Sequence, residues 1–324
     1  MTVEPNALTG AQIDRATDAS RRGPEWIAEQ RRDPRARALL LGDAGVRAAG
    51  PAIDRIPLAA VDASLRDAPG ALVYLGDDGD GPLFALDEDP APAGARARLI
   101  GAGGMRGEPA PEAVDRIGLR TAAQTLSQED GGLVAYAAAL LNWHRTTRFC
   151  GTCGTATDVV EGGGARRCPQ CGTSHHPRTD PVVIMLVVDH DGDRVLLGRQ
   201  QAWPPRRYSA LAGFVSPGES LEEAVAREVR EEVGVAVGAP VYRSSQPWPF
   251  PFSLMLGFHV PWRSGSIAGD DDELEDARWF TREEVAAASR LEDSWDEPVD
   301  GDGLLLPPRS AIARRLIEAW VEEG

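Results

Sequence analysis

A chain of 324 residues is too long for most single hydrophobic cores, so two domains plus a small module are expected. Its 42% apolar and 26% charged residues are those of a globular protein rather than a disordered or fibrous one. A net charge of −16 excludes broad electrostatic binding of nucleic acid, which needs a basic face, but leaves room for a local basic pocket around one phosphate-rich end.

The first 20 residues have no apolar core of a secretory signal, and no run of about 18 apolar residues suggests a membrane span. All four cysteines fall in two C-x-x-C pairs with none left for a disulfide framework, a usage that points to the cytoplasm. Residues 1 to 23 are polar and turn-rich and read as a poorly ordered start. From Trp26 to Leu41 the pattern fits either helix or strand, interrupted by Pro34. ALVYLG (71–76) and PLFALD (82–87) flank DDGDG and predict a β-hairpin with an acidic turn. No chemical motif stands out before residue 115, and this part reads as an α+β domain. Leu133 to Trp143 is rich in Ala and Leu and predicts a linking helix that ends near His144, itself read as a solvent-facing or capping histidine.

Cys150 and Cys153, then Cys168 and Cys171, form CGTCG and CPQCG knuckles separated by 14 residues. Two thiolate pairs at this spacing predict a closed tetrahedral zinc ribbon with a structural role. A redox dithiol and an iron–sulfur centre are the alternatives. After HHPRTDP (175–181), a strand, the acidic turn DHDGD and a second strand predict another hairpin, followed by the loop WPPRRYSALAG.

Next comes the densest stretch of chemistry, Gly213 to Val235, a glycine-bearing loop leading into a helix with five glutamates. Glu228, Glu231 and Glu232 stand at i, i+3 and i+4, which puts three carboxylates within one arc of roughly 100° of helix surface. Like charges so close call for a positive partner, and a hard divalent cation, Mg²⁺ or Mn²⁺, suits oxygen ligands. A solvated acidic helix is the bland alternative. Gly213, Glu219, Arg227, Glu228, Val229, Glu231, Glu232, Gly234 and Val235 match every fixed position of the Nudix box, G-x5-E-x7-R-E-U-x-E-E-x-G-U with U aliphatic. Arg227 reads as a tie among the helix carboxylates, while Gly213 and Gly234 let the backbone pass close and end the helix.

Ser245 to Ser253, SQPWPFPFS, alternates prolines with aromatics. Prolines stiffen the backbone and leave Trp248, Phe250 and Phe252 little entropy to lose, as suits stacking on planar rings. Packing of these aromatics into a core or a subunit interface is an equally good reading. The tail resumes strand and helix in DDDELEDARWFTREEVAAASR and closes with an amphipathic helix from about Ser310.

The zinc ribbon, the box and SQPWPFPFS together resemble the bacterial NADH pyrophosphatase subfamily of Nudix hydrolases, also described as NAD-capped RNA hydrolases. The resemblance covers 130–324 by motif and 1–129 only by domain order and length. It implies an α+β chain of three parts: an N-terminal α+β domain (1–129), a linking helix and zinc ribbon (130–176), and a Nudix α/β/α sandwich with a mixed sheet (177–324). By the resemblance, Glu228 and Glu232 ligate catalytic Mg²⁺ or Mn²⁺, with Glu231 as a further ligand or as the base, so that all three are catalytic. The Ala212 carbonyl and Glu273 complete the metal shell. Phe214 stacks on a ring, and Gln246, Pro247, Trp248, Pro249, Phe250, Pro251, Phe252 and Ser253 line the dinucleotide site, completed by Ala313. Arg120 in GLRTAA lies near a substrate-contacting arginine of relatives. His176 stands where some relatives have tyrosine, and a glutamate of their ribbon has no aligned counterpart here, although Glu161 is close by. Both departures bear on substrate preference rather than on the chemistry.

The implied reaction is metal-dependent hydrolysis of the pyrophosphate bond of NAD(H) to AMP and nicotinamide mononucleotide, with removal of NAD caps from RNA as a further activity. Arg206-Arg207 and Arg314-Arg315 are candidates to hold a cap-proximal strand. A homodimer in the cytoplasm is implied as well. The alternatives are a pyrophosphatase acting on ADP-ribose or another nucleoside diphosphate, and a non-catalytic Nudix-fold ligand sensor.

Overall fold

The computed structural model describes residues 5–15, 19–90, 99–100, 116–268, 274–291 and 302–323. The chain divides into two compact units. The first comprises residues 7–179 together with 247–253, and the second comprises residues 1–6, 180–246 and 254–324.

An eight-stranded sheet forms the first unit. Strands Leu72–Asp77 and Pro82–Asp87 are the expected antiparallel hairpin, and Arg37–Gly42 runs parallel to the second of them, so the sheet is mixed. Side chains alternate between faces along these strands. Leu39, Leu41, Val73, Leu75, Leu83 and Ala85 pack on one face against helix Gln128–Thr146. Ala38, Leu40, Tyr74, Phe84 and Leu86 pack on the other, where Trp26 and Ile27 lie. Trp26 to Leu41 therefore resolves into both candidates: helix up to Arg32, a turn through Pro34, and strand from Arg37. The poorly ordered start is corrected for the described residues, because Asp14–Arg15 pairs with Gly76 and Asp77 at the sheet edge and a helix begins at Ala19.

The ribbon is a three-stranded antiparallel sheet, Asp158–Val160, Ala165–Arg167 and Ser174–His175. Its attachment to the long helix runs through His144. That side chain is 3% exposed, which corrects the solvent-facing reading. Gly163 O lies 2.8 Å from Nε2 and can only accept, whereas the Arg166 guanidinium lies 2.9 Å from Nδ1 and can only donate. Only a neutral ring protonated on Nε2 satisfies both. Burial, reinforced by the nearby Arg166 charge and opposed by the Gly163 carbonyl, accordingly pushes the imidazole down to about 4.

The second unit is a seven-stranded sheet with helices on both faces. Its central strand, Asp180–Val188, is buried on both sides, with Val183, Met185 and Val187 facing helix Leu221–Val233 and Ile184 and Leu186 facing helix Ile312–Glu322. Strand Arg194–Arg199 repeats this split, and Leu211–Phe214 pairs with the central strand through Ile184 and Ala212. The result is the α/β/α sandwich that the resemblance implied. No helix among the described residues is long and apolar enough to cross a membrane.

The sign of the His144 effect follows from where the proton binds. The folded ring titrates near 4 and an unfolded one near 6.5, so between those values the unfolded chain takes up more protons. The stabilisation is fully present above the unfolded value and is lost as pH falls toward the folded one. Denaturant titrations should show the wild type losing about 2 kcal/mol more than His144→Phe between roughly pH 7 and roughly pH 5. Equal losses would show that His144 does not carry this dependence.

Candidate active site

Helix Leu221–Val233 begins at Ser220, whose hydroxyl accepts from Glu223 N while the Glu223 carboxylate accepts from Ser220 N. This reciprocal cap defines where the helix starts. Gly234 ends it in the left-handed region (φ 72°), and a Cβ there would come within 2.7 Å of Ala268 O. Val225, Val229 and Val233 recur every four residues and form the buried stripe. Glu228 and Glu232 each precede a stripe residue, so they sit at its margin, 9% and 7% exposed. Glu231 lies farther round and is exposed.

Arg227 ties the array together. Its Nε and Nη2 donate to the two oxygens of Glu219 at 2.8 and 2.9 Å, and its Nη1 donates to both Glu228 and Glu231 at 2.8 Å. Nη2 also donates to Phe214 O at 2.9 Å, which fastens the strand end to the helix. The bidentate bond from Arg227, helped by the Ser216 amide, pulls Glu219 down to about 2, and the glutamates in turn hold Arg227 protonated. Glu219 and Arg227 therefore stay ionised throughout the neutral range.

Gly213 shows why the box needs a glycine before the helix. A Cβ on it would stand 1.9 Å from the carboxyl carbon of Glu228, so the carboxylate occupies the space a side chain would take. Ala212 lies one residue earlier on the same strand. Phe214, next in line, is 61% exposed with its ring in solvent. Carboxylates on one helix arc, with a bare glycine beneath one of them, are oxygen donors of the kind a hard divalent cation takes, although among the described residues they do not form a cluster whose donor atoms all lie within 4.8 Å. Beside the array, a groove of about 700 Å³ opens over Ser216, Gly218, Ala226 and Arg230. Glu273 lies outside the described residues.

The other expected site residues fall into two groups. Gln246 is fully buried and Ala313 is 4% exposed, both in the second unit. Pro247 to Ser253 belongs to the first unit, where Phe250 is 8% exposed in the core and Trp248 packs edge-on against it at 4.9 Å. Arg120 lies over both rings, 5.7 Å from Trp248 and 5.1 Å from Phe250. Pro249 is buried, Pro251, Phe252 and Ser253 are half-buried, and His176 is exposed on the ribbon. The stiff run thus serves packing through Phe250 while leaving Trp248 partly open. One arginine of each candidate RNA-contacting pair is corrected, because Arg207 and Arg314 are 1% and 3% exposed and Arg314 is spent on Glu318, Pro307 O and Ser289 O, while Arg206 and Arg315 are half-buried. Arg243 and His259 were not picked out from sequence, because isolated residues on a strand carry no motif. Arg243 donates to His259 Nδ1, and His259 Nε2 donates to Leu316 O on the C-terminal helix.

The cysteines behave as the knuckle spacing predicts. In each knuckle the first cysteine's amide bonds a carbonyl five residues on, and its sulfur accepts a backbone N–H from within the knuckle, Thr152 for Cys150 and Cys171 for Cys168. Three Sγ separations are 3.5–3.6 Å, close to the about 3.8 Å edge of a tetrahedron of thiolates ~2.3 Å from zinc. Among the described residues, this quartet is the metal-type cluster whose donor atoms all lie within 4.8 Å of one another. It is a closed, structural zinc site.

Comparison with known proteins agrees with this geometry. The NUDIX domain model matches residues 178–299, the NADH pyrophosphatase zinc ribbon domain matches 145–175, and the NADH pyrophosphatase-like rudimentary NUDIX domain matches 34–143. The fold and the box define the class as Nudix. The NAD-capped RNA hydrolase NudC of Stutzerimonas stutzeri is 44% identical over 204 residues, covering 63% of this chain and 67% of that protein. NudC of Mycobacterium bovis is 49% identical over 214 residues, covering 64% and 65%. Human NAD-capped RNA hydrolase NUDT12 is 45% identical over 206 residues, covering 60% of this chain but 43% of that longer protein, so the chain spans less than half the length of the NUDT12 relatives. The chain belongs to the NADH pyrophosphatase branch of the Nudix family.

Chelation of zinc should unfold the ribbon, because its small sheet has little core of its own. Amide protection over residues 148–175 should disappear while strands Asp180–Val188 and Arg194–Arg199 keep theirs. Protection of the ribbon that survives complete zinc removal would show that the metal does not hold it.

Proposed function

We propose that this chain hydrolyses the pyrophosphate bond of NAD(H), giving AMP and nicotinamide mononucleotide, and removes NAD caps from RNA 5′ ends. The observation that carries this reading is the Arg227-bound carboxylate array over Gly213, joined in one chain to the SQPWPFPFS run and the ribbon. The similarity to NudC and NUDT12, which are NAD-capped RNA hydrolases, supports it.

In this reading Glu228, Glu232 and the Ala212 carbonyl, with Glu273 downstream, would hold Mg²⁺ or Mn²⁺. A divalent ion held there would supply positive charge against the phosphate oxygens and a more acidic water. Glu231, open to solvent, accepts a proton from the attacking water. The water oxygen bonds to one phosphorus as the bridging P–O bond breaks, and the departing phosphate leaves with the bridging oxygen. Arg227 holds Glu219, Glu228 and Glu231 aligned rather than touching substrate. Phe214 stacks on a ring, and Trp248 with Arg120 contributes to nucleotide recognition. The ribbon's His176 contributes to substrate preference. A homodimer in the cytoplasm completes the proposal, supported by the resemblance and by cysteine usage, and sedimentation would test the assembly.

Glu232→Gln should lower kcat at least about 100-fold with the melting transition unchanged, since misplacing the reacting groups by ~1 Å costs that much. A wild-type rate at saturating Mg²⁺ would remove Glu232 from the metal shell. Trp248→Ala should raise KM for NADH by about tenfold or more with a smaller change in kcat, in line with a stacking contact of ~1–3 kcal/mol. Parallel kinetics on NADH, NAD⁺, NAD-capped RNA and ADP-ribose decide the substrate, and a preference for ADP-ribose would overturn the dinucleotide reading.

A further inference from the structure

Helix Ile312–Glu322 starts without a cap of its own. Ala311 occupies the N-cap in extended geometry and has no side chain to accept a bond. Helices begun this way leave amide N–H groups unsatisfied, and buried ones are costly. Here the missing acceptor comes from a distant strand. Gln246 Oε1 accepts from Ile312 N at 2.8 Å, and Gln246 Nε2 donates to Ser310 O at 2.7 Å. The side chain is fully buried, so both bonds lie out of water, where they are directional and expensive to break.

Gln246 is also the last residue before Pro247, where the chain enters the proline–aromatic run. Just before it, Ser245 O accepts from the Asn6 amide at 2.7 Å. On the helix side, Ala313 follows directly after the clamped Ile312. Farther along, His259 Nε2 donates to Leu316 O, and Arg243 pairs with Glu323. Strands Val241–Trp248 and Ser253–Ser264, which pair with each other, thus hold the helix at its first residue, its middle and its end. Of these fastenings, only the one at Gln246 also fixes the entry to the run.

We infer that Gln246 is a positioning residue: its buried amide clamps the first turn of the C-terminal helix and thereby sets both Ala313 and the start of the run, without touching substrate. A carboxamide with no exposed surface, with its oxygen and its nitrogen each bonded to the backbone of the helix start, faces the protein rather than solvent. This departs from the dinucleotide contact that the resemblance implied for Gln246. Its kinetic half rests on the proposed NADH hydrolysis; its structural half does not.

The test compares the wild type, Gln246→Ala, Gln246→Glu and the double variant Gln246→Ala with Ala311→Asp. In the substrate-free protein, Gln246→Ala should speed amide exchange over 312–316 by about tenfold or more, since one buried bond to the helix start is lost. KM for NADH should rise about tenfold with kcat within about twofold, the change that loss of one such bond allows. Gln246→Glu keeps the acceptor for Ile312 N but sets a carboxylate against Ser310 O, so it should fall between the two. Ala311→Asp supplies an ordinary N-cap and should bring back both exchange protection and KM. If KM rises while exchange is unchanged, or if Ala311→Asp restores exchange but not KM, Gln246 contacts substrate directly and the inference fails. Unchanged exchange and unchanged KM in Gln246→Ala would also overturn it. A wild-type protein that does not hydrolyse NADH would instead sink the proposed function, and the exchange comparison would still decide the clamp.

Discussion

Everything in the candidate active site depends on one guanidinium. Glu228, Glu231 and Glu232 share one arc of the box helix and Glu219 of the preceding loop is bridged to them, and two unit charges ~4 Å apart near a protein surface repel by about 4 kcal/mol. Helix propensity and i,i+4 pairing are worth only about 0.5 kcal/mol each and cannot offset this. Arg227 does, because its planar fork bonds three carboxylates and one backbone carbonyl at once. A lysine, a point charge on a flexible stem, could not span Glu219, Glu231 and Phe214 O together.

The array also needs a platform. The Val225, Val229 and Val233 stripe seats the box helix on a strand that is buried on both faces, which sets Glu228 against Gly213. The central strand can serve both layers because its side chains alternate between the two faces. In the first unit the hairpin 72–87 has the same two-faced burial, in keeping with the match of that region to a rudimentary NUDIX domain.

Much of this was legible along the chain. The box, the cysteine knuckles and the two hairpins with acidic turns are local patterns: helical spacing gathers Glu228, Glu231 and Glu232, and C-x-x-C pairs gather four sulfurs. Residues 26–41 were ambiguous because a short apolar run fits helix and strand equally, and only pairing with Pro82–Asp87 selects strand from Arg37. His144 was misread because its partners, Gly163 and Arg166, come from another element, and a single histidine carries no sign of what will cover it.

The amino-acid sequence by itself determined the chemistry: which carboxylates share a helix face, which thiolates share a metal, and where a glycine must lie. Those are relations over a few residues, governed by helix and turn geometry. Tertiary structure alone decided which polar groups are buried and with whom. Arg207 and Arg314 looked like a surface for phosphates and proved internal, and Gln246, buried, accepts from the start of a helix 66 residues on. Burial depends on what distant segments cover, and no local pattern encodes it. Gly213 to Val235 could be read from the chain; what holds the residues around it in place could not.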